Sequence, residues 1–438
     1  MNDNEKLARL REEAQASAGP HREACCLDSQ VLSDALRRRT PSVPGLELYT
    51  FTTEDLSSME VLGIRPGSAT RLDREPVTAS SRQRVHLVIF GAGAQAQSLA
   101  IHAALVAHYP NWVRDHSLRT RITMVSEDIA DFRPFRQRYS LLLEHCWQRL
   151  VFARGEAPET RPTAPRYQGV REDFTDIEWE FVEAPLDAPA LQYKLSKWVE
   201  DSERLLTLAF CREETSRNIE EALTVQLPGV PVWVCAPGAY DTVSFLQQGE
   251  NSRLIPFGGP AEGLDDYISL GMYIHYAYGQ FKEEGKAPAV PDPEAIRAAW
   301  EASSASAPKR WSNIYNAFTL TTKLRSIGIP EERWGTLFAL DVRDVALLTE
   351  LEHNRWSVEE LILGYRPLTE EEREELRKDP SLRRSFKEAG AHPDLCAFSE
   401  LGTDETGESV VRYDEVLIRA LPMLAYAWYQ LKKEGKDA

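Results

Sequence analysis

The run Val85-His86-Leu87-Val88-Ile89-Phe90 is almost wholly apolar, and it passes directly into Gly91-Ala92-Gly93-Ala94-Gln95-Ala96 and then into Leu99–Val106, a strong helix pattern. A run of that kind suits a strand buried on both faces of a parallel sheet, because helices cover both sides. Gly91-x-Gly93-x-x-Ala96 fits G-x-G-x-x-G/A and lies between strand and helix, the context the motif requires. The reasons are geometric. Gly91 permits a tight turn, Gly93 lets main chain approach a pyrophosphate, and Ala96 keeps the helix close to the strand. The amides at the helix start, among them those of Ala94 and Gln95, then face an anion with the positive end of the helix dipole behind them.

A ribose hydroxyl needs an acidic acceptor at the end of the next strand. That strand reads as Arg121–Val125, and Glu127 or Asp128 follows it. The acid arrives later than the usual spacing of about 20 residues, because Tyr109–Arg119 lengthens the connection. An acid at this place favours NAD over NADP, since it repels a 2′-phosphate. The expected ligand is NAD or a related adenine nucleotide. The competing reading is a turn that has lost its ligand and survives as scaffold.

Further strands are expected at Trp179–Glu183, Leu205–Phe210, Pro231–Cys235 and Ser252–Pro256, with helices at Ala190–Glu200 and Thr215–Leu223. Strands alternating with helices make a doubly wound parallel sheet, a Rossmann-like α/β fold. Residues 84–260 form this unit. An insertion at Phe132–Asp173 carries a helix over Pro134–Phe152 and a Pro-rich loop. Residues 1–83 read as an extension with one strand at Leu46–Thr52, broken up by Pro41, Pro44, Gly45, Pro66 and Gly67. After Gly259 the chain turns helical, with a connector over 261–335 and a mostly α-helical domain over 336–438. Pro422 removes a backbone donor, so it kinks the last helix or starts a new one.

Charge narrows the function classes. There are 68 acidic and 51 basic side chains, a formal net charge of −17. Such a surface repels phosphate backbones, which argues against general nucleic-acid binding but leaves room for a local anion pocket. No apolar run reaches 18 residues, so no membrane span is expected. The first residues lack the apolar core of a signal peptide, and the expected address is the cytoplasm. The six cysteines show no C-x-x-C spacing, and the nine histidines show no H-E-x-x-H or other ligand cluster. Neither a zinc site nor a disulfide framework is indicated. G-x-S-x-G and the P-loop pattern are missing too. Cys211 and Tyr240, in turns after the fourth and fifth strands, are the candidates for chemistry at the crevice.

On a helical wheel of about 100° per residue, Leu347, Leu348, Leu351, Val358 and Ile362 share one arc. Arg355 falls inside it, Asn354 lies towards its edge, Trp356 borders it, and His353 and Glu360 point away. An arginine in an apolar stripe must be paired. One reading is an internal ion pair with Glu352 or Asp414. The other is a pocket in which Arg355 meets a ligand phosphate or carboxylate and Trp356 stacks on a base, with Asn354 beside them. The stretch Leu347–Gly364, with its core Glu352-His353-Asn354-Arg355-Trp356, then His392-Pro393-Asp394-Leu395, Arg412-Tyr413-Asp414 and Leu421-Pro422, resembles the RyR repeat, the module named after the ryanodine receptor. Ile274-His275-x-x-Tyr278 and Arg310-x-Ser312-Asn313 with Lys323-Leu324 resemble the segment preceding such repeats in bacterial chains, where a TrkA-N-type Rossmann domain comes first. Gly364-Tyr365-Arg366 and the charged loop Pro367–Arg384 depart from that pattern. The resemblance implies ligand-responsive regulation and supplies no catalytic residues. The expected function is a nucleotide sensor whose RyR-like half is a second ligand or effector module. The alternatives are a nucleotide-processing enzyme working in the interdomain cleft and a structural protein. A homodimer contact through the last helix is the alternative to its packing on its own domain.

Overall fold

The computed structural model describes residues 2–17, 21–38, 46–64, 68, 70–167, 174–225, 227–259, 264–284, 292–303 and 307–434. Pro41, Pro44, Gly45, Pro66 and Gly67 lie outside the described residues.

Among the described residues, ten strands organise the first part of the chain: β1 (His21–Cys26), β2 (Leu46–Phe51), β3 (Arg84–Phe90), β4 (Thr120–Ser126), β5 (Trp147–Phe152), β6 (Glu159–Thr163), β7 (Ile177–Glu183), β8 (Arg204–Phe210), β9 (Val232–Cys235) and β10 (Leu254–Phe257). Eight of them form one sheet in the order β10-β9-β8-β3-β4-β7-β5-β6. All its pairings are parallel except β5 with β6. Without that hairpin the order is the doubly wound Rossmann arrangement, and the chain reverses direction across the sheet between β3 and β8. The fold is α/β. The expected strands are all present, within two residues of their expected limits.

The insertion differs from expectation. Pro134–Phe152 is not one helix. Two short helices, Arg133–Arg138 and Ser140–Glu144, give way to strand β5. Trp147–Phe152 is rich in aromatic and branched side chains, and the free edge of β7 offers it a ladder. The extension holds a second strand that alternation did not reveal. Its two strands pair in parallel, His21 opposite Leu46, around the helix Gln30–Arg38.

The helix Ala94–Val106 is buried from Ala96 onward apart from half-buried Gln97. Strands cover one side. The extension and the helical part cover the other: one apolar cluster joins Met59, Leu87, Leu99 and Ile122 to Trp311, Tyr315, Val358 and Ile362. On the opposite face of the sheet, Val88, Phe90 and Leu208 pack against Leu191, Leu195, Trp198 and Ala222 of the helices Pro189–Glu200 and Thr215–Thr224.

In the helical part, the helices Ala307–Phe318 and Leu320–Ser326 follow each other across Thr319. The long helix Val342–Leu363 ends on Gly364 in the left-handed conformation, φ +95°. The last helices are Val411–Arg419 and Leu421–Glu434, so Pro422 starts a new helix. Leu421, Leu424 and Trp428 pack inside this part against Leu348 and Leu351. Among the described residues no helix is long and apolar enough to cross a membrane.

Candidate functional site at the carboxyl edge of the sheet

The glycine turn stands at the carboxyl end of β3, beside β8, where the strand order reverses. Gly91 has φ +138°, and a Cβ there would lie 2.4 Å from the carbonyl oxygen of Cys211. Only glycine lets the two strand ends come this close. Gly93 precedes the helix with φ −72° and no side-chain cap, so its first amides are not satisfied by a capping side chain. A Cβ on Gly93 would meet only the Glu213 side chain, at 3.4 Å and beyond. Ala94 is exposed and Ala96 fully buried. Gln95 turns away from the turn: its amide accepts from Ser57 Oγ at 2.7 Å and donates to Ser58 Oγ at 2.9 Å.

The loop after β8 completes this edge. Asn218 knits it together, accepting from Arg212 N at 2.7 Å and donating to the carbonyls of Arg212 and Cys235. Arg212 pairs through Nε with Glu221 at 3.1 Å, and its side chain is 8% exposed. Its Nη2 is enclosed and has no hydrogen-bond partner. An arginine nitrogen in that state is costly unless something anionic completes it. The sequence puts Arg212 and Glu213 in a turn facing the crevice but singles out only Cys211 there, and Asn218 is not among its candidates. Arg212 and Glu213 stand directly after a buried strand at the switch point, the signal that could have singled them out.

The two acids after β4 are engaged differently from expectation. Glu127 accepts from Arg217, while Arg154 donates to its main-chain carbonyl and pairs with Glu183 at 2.9 Å. The side-chain hydrogen bond from Arg217 holds Glu127 below the usual carboxylate range. The negative charge expected to repel a 2′-phosphate is therefore offset. Asp128 caps the turn Ile129–Phe132, accepting from Ala130 N at 2.8 Å.

Nucleophilic chemistry finds little support here. Burial, reinforced by Cys235, pushes the Cys211 thiol well above its ordinary range, and burial pushes Cys235 up to about 12. Both stay protonated at neutral pH. Tyr240 is 43% exposed. Ser98, His102 and Asp55 do come together. The Ser98 hydroxyl donates to Asp55 at 2.9 Å and lies 3.3 Å from His102 Nδ1. All three are buried, and Asp55 also binds Arg37, so this trio braces the fold.

In the helical part, Arg355 lies inside the fold, 1% exposed, as the wheel places it. Its partners are Glu352, at 2.8–2.9 Å, and Glu359, at 2.7 Å. Glu352 also accepts from Asn316 at 2.7 Å and from Lys323, on the two preceding helices. Burial raises the Glu352 carboxyl, but Arg355 and Lys323 outweigh it and hold the group at about 2. Asp414 serves His353 instead of Arg355, at 3.3 Å. His353 and Glu360 are buried rather than turned outward, because neighbours cover this helix on every side from Leu351 to Ile362. Asn354 is buried with its Nδ2 unpartnered. Trp356 is half-buried, edge-on to His392 with centroids 4.8 Å apart. The three residues named for a ligand pocket thus have separate surroundings, and none of the contacts of Arg355 is open to solvent. A cleft of about 700 Å³ lies elsewhere in this part. It is lined by Arg373, Arg377, Arg383, Glu370, Asp394 and Glu400 over a floor that includes Leu368 and Cys396.

Glu360 makes a testable case. Burial and the adjacent Glu359 push its carboxyl up to about 8. It is protonated in the folded chain at pH values where the unfolded chain ionises it. Stability from this group is complete below the ordinary value of 4.5 and is lost as pH rises towards 8. Glu360→Gln removes that loss. Thermal unfolding should show little change at pH 5 and stabilisation on the order of 2 kcal/mol at pH 8. Equal effects at both pH values would refute the assignment.

Comparison with protein-family models, with curated proteins and with solved structures finds no match for this chain.

Proposed function

We propose that the chain is a nucleotide-responsive regulatory protein that binds NAD or a related adenine nucleotide by its phosphates at the Gly91–Gly93 turn. The observation that carries this reading is the glycine turn at the switch point, opening on a helix whose first amides no side chain caps. Residues Gly91, Gly93 and Ala94 would border the pyrophosphate, and Glu127 would meet the adenosine ribose. The nucleotide contributes its phosphates and sugar as recognition elements; no reaction on it is part of the reading.

A regulatory output is favoured by what the helix Ala94–Val106 touches. Ser98 on this helix binds Asp55, Asp55 binds Arg37, and the Arg37 guanidinium lies 4.7 Å from the centre of the Trp311 ring. Arg38 donates to the carbonyl of Ile362 at 2.7 Å, near the end of the long helix. A shift of the turn helix on binding phosphate would therefore be felt in the RyR-like half. There, the cleft in which Arg373, Arg377 and Arg383 pair with Glu400, Glu370 and Asp394 is the place for a second ligand.

Titration calorimetry with NAD, ADP-ribose and ATP tests the first ligand directly. Glu213 gives a sharper form of the test. Its Oε1 lies 3.7 Å from where a Cβ on Gly93 would stand, so it repels a phosphate at the turn. Glu213→Ala should tighten nucleotide binding about tenfold, roughly 1.4 kcal/mol. Unchanged or weaker binding would count against a phosphate at this turn.

A further inference from the structure

The first helix, Asp3–Ala16, packs beside β1 and brings Glu13 of its last turn against the strand. His21 and Glu23 stand two residues apart on β1 and so share a face. His21 Nε2 lies 3.7 Å from Glu13 Oε2 and 3.8 Å from Glu23 Oε2. That nitrogen is shielded from solvent and makes no hydrogen bond among the described residues. The other oxygen of each carboxylate faces Arg9: Nε lies 3.6 Å from Glu13 Oε1, and Nη2 lies 3.5 Å from Glu23 Oε1. Arg9 thus offsets one of the two negative charges from behind and leaves both Oε2 atoms turned to the imidazole.

We propose that Glu13, His21 and Glu23 form a site for a divalent transition metal, with Zn²⁺ as the fitting ion. The three ligand atoms lie within 4.8 Å of one another. In a tetrahedral zinc site with bonds of about 2.0–2.1 Å, neighbouring ligand atoms sit roughly 3.3–3.4 Å apart. Small side-chain rotations close the remaining gap. Imidazole with two carboxylates suits Zn²⁺ over the harder Mg²⁺ or Ca²⁺, which prefer oxygen alone. A fourth position is left for water. Arg9 acts as a positioning residue, orienting the carboxylates from outside the first layer. The bound ion would fasten the amino-terminal helix to the β1–β2 pair. The scattered histidines of the sequence concealed this set, because the fold joins a helix end to a strand.

The test uses the full chain freed of metal by a chelator and titrated with Zn²⁺ by calorimetry, with thermal unfolding in parallel. The expected result is one ion bound per chain, a raised Tm with Zn²⁺, and at least tenfold weaker binding in His21→Ala. Because thiols also take zinc, Glu13→Gln is measured as well: it leaves the cysteines and the imidazole intact and should weaken binding too, and it keeps the test valid if His21→Ala does not fold. Zinc affinity unchanged in both variants, or no zinc binding by the parent chain, would overturn the proposal.

Discussion

Gly91→Ala should destabilise the protein by about 3–5 kcal/mol. The added Cβ would sit 2.4 Å from the carbonyl oxygen of Cys211 and 2.8 Å from its carbon, on a backbone with φ +138°. Neither atom is the end of a flexible side chain. Cys211 N also donates to the Phe90 carbonyl at 2.8 Å, so relieving the clash means parting the ends of β3 and β8. Denaturant unfolding measures the loss. A variant as stable as the parent would mean that the two strand ends are not held this close.

Glu352→Ala should cost a similar amount, about 3–5 kcal/mol, for a different reason. The carboxylate is fully buried and answers Arg355, Lys323 and Asn316 at once. Removing it leaves Lys323 buried without its ion-pair partner and Arg355 with Glu359 alone. Replacing Glu352, Lys323 and Arg355 together by apolar residues of similar volume should be far milder, because no charge is then stranded. Denaturant unfolding of both variants separates a closed charge network from an ordinary packing defect. A loss under about 1 kcal/mol for Glu352→Ala would show that water reaches this network.

How far the chain can be read without coordinates follows from where each signal lies. Strands β3, β8, β9 and β10 were legible because each is a short, mostly apolar run, while in β4 and β7 polar residues alternate with Ile122 and Met124 and with Ile177, Trp179 and Phe181. The β5–β6 hairpin was not: Trp147–Phe152 carries no strict alternation and owes its conformation to the edge of β7. The glycine turn was legible because its spacing is local. Its companions Arg212 and Glu213, from a loop, and Asn218, from the helix after it, come more than a hundred residues later, brought there by the pairing of β3 with β8. In the helical part the wheel put Arg355 inside and named Glu352, three residues away. Lys323 and Asn316 were beyond its reach, since they belong to other helices. The wheel also turned His353 and Glu360 outward, because it presumes one wet face and this helix has none between Leu351 and Ile362.

Gly93 separates binding from folding. Unlike Gly91, it has an ordinary φ of −72°, and a Cβ there meets only the movable side chain of Glu213. Gly93→Ala should therefore keep its stability while pushing a pyrophosphate off the turn. The decisive measurement is calorimetric titration of the parent and Gly93→Ala with NAD and ADP-ribose. A pyrophosphate site at this turn requires binding by the parent and at least tenfold weaker binding by an equally stable variant. Equal affinity in the two proteins, or no binding by the parent, would contradict it.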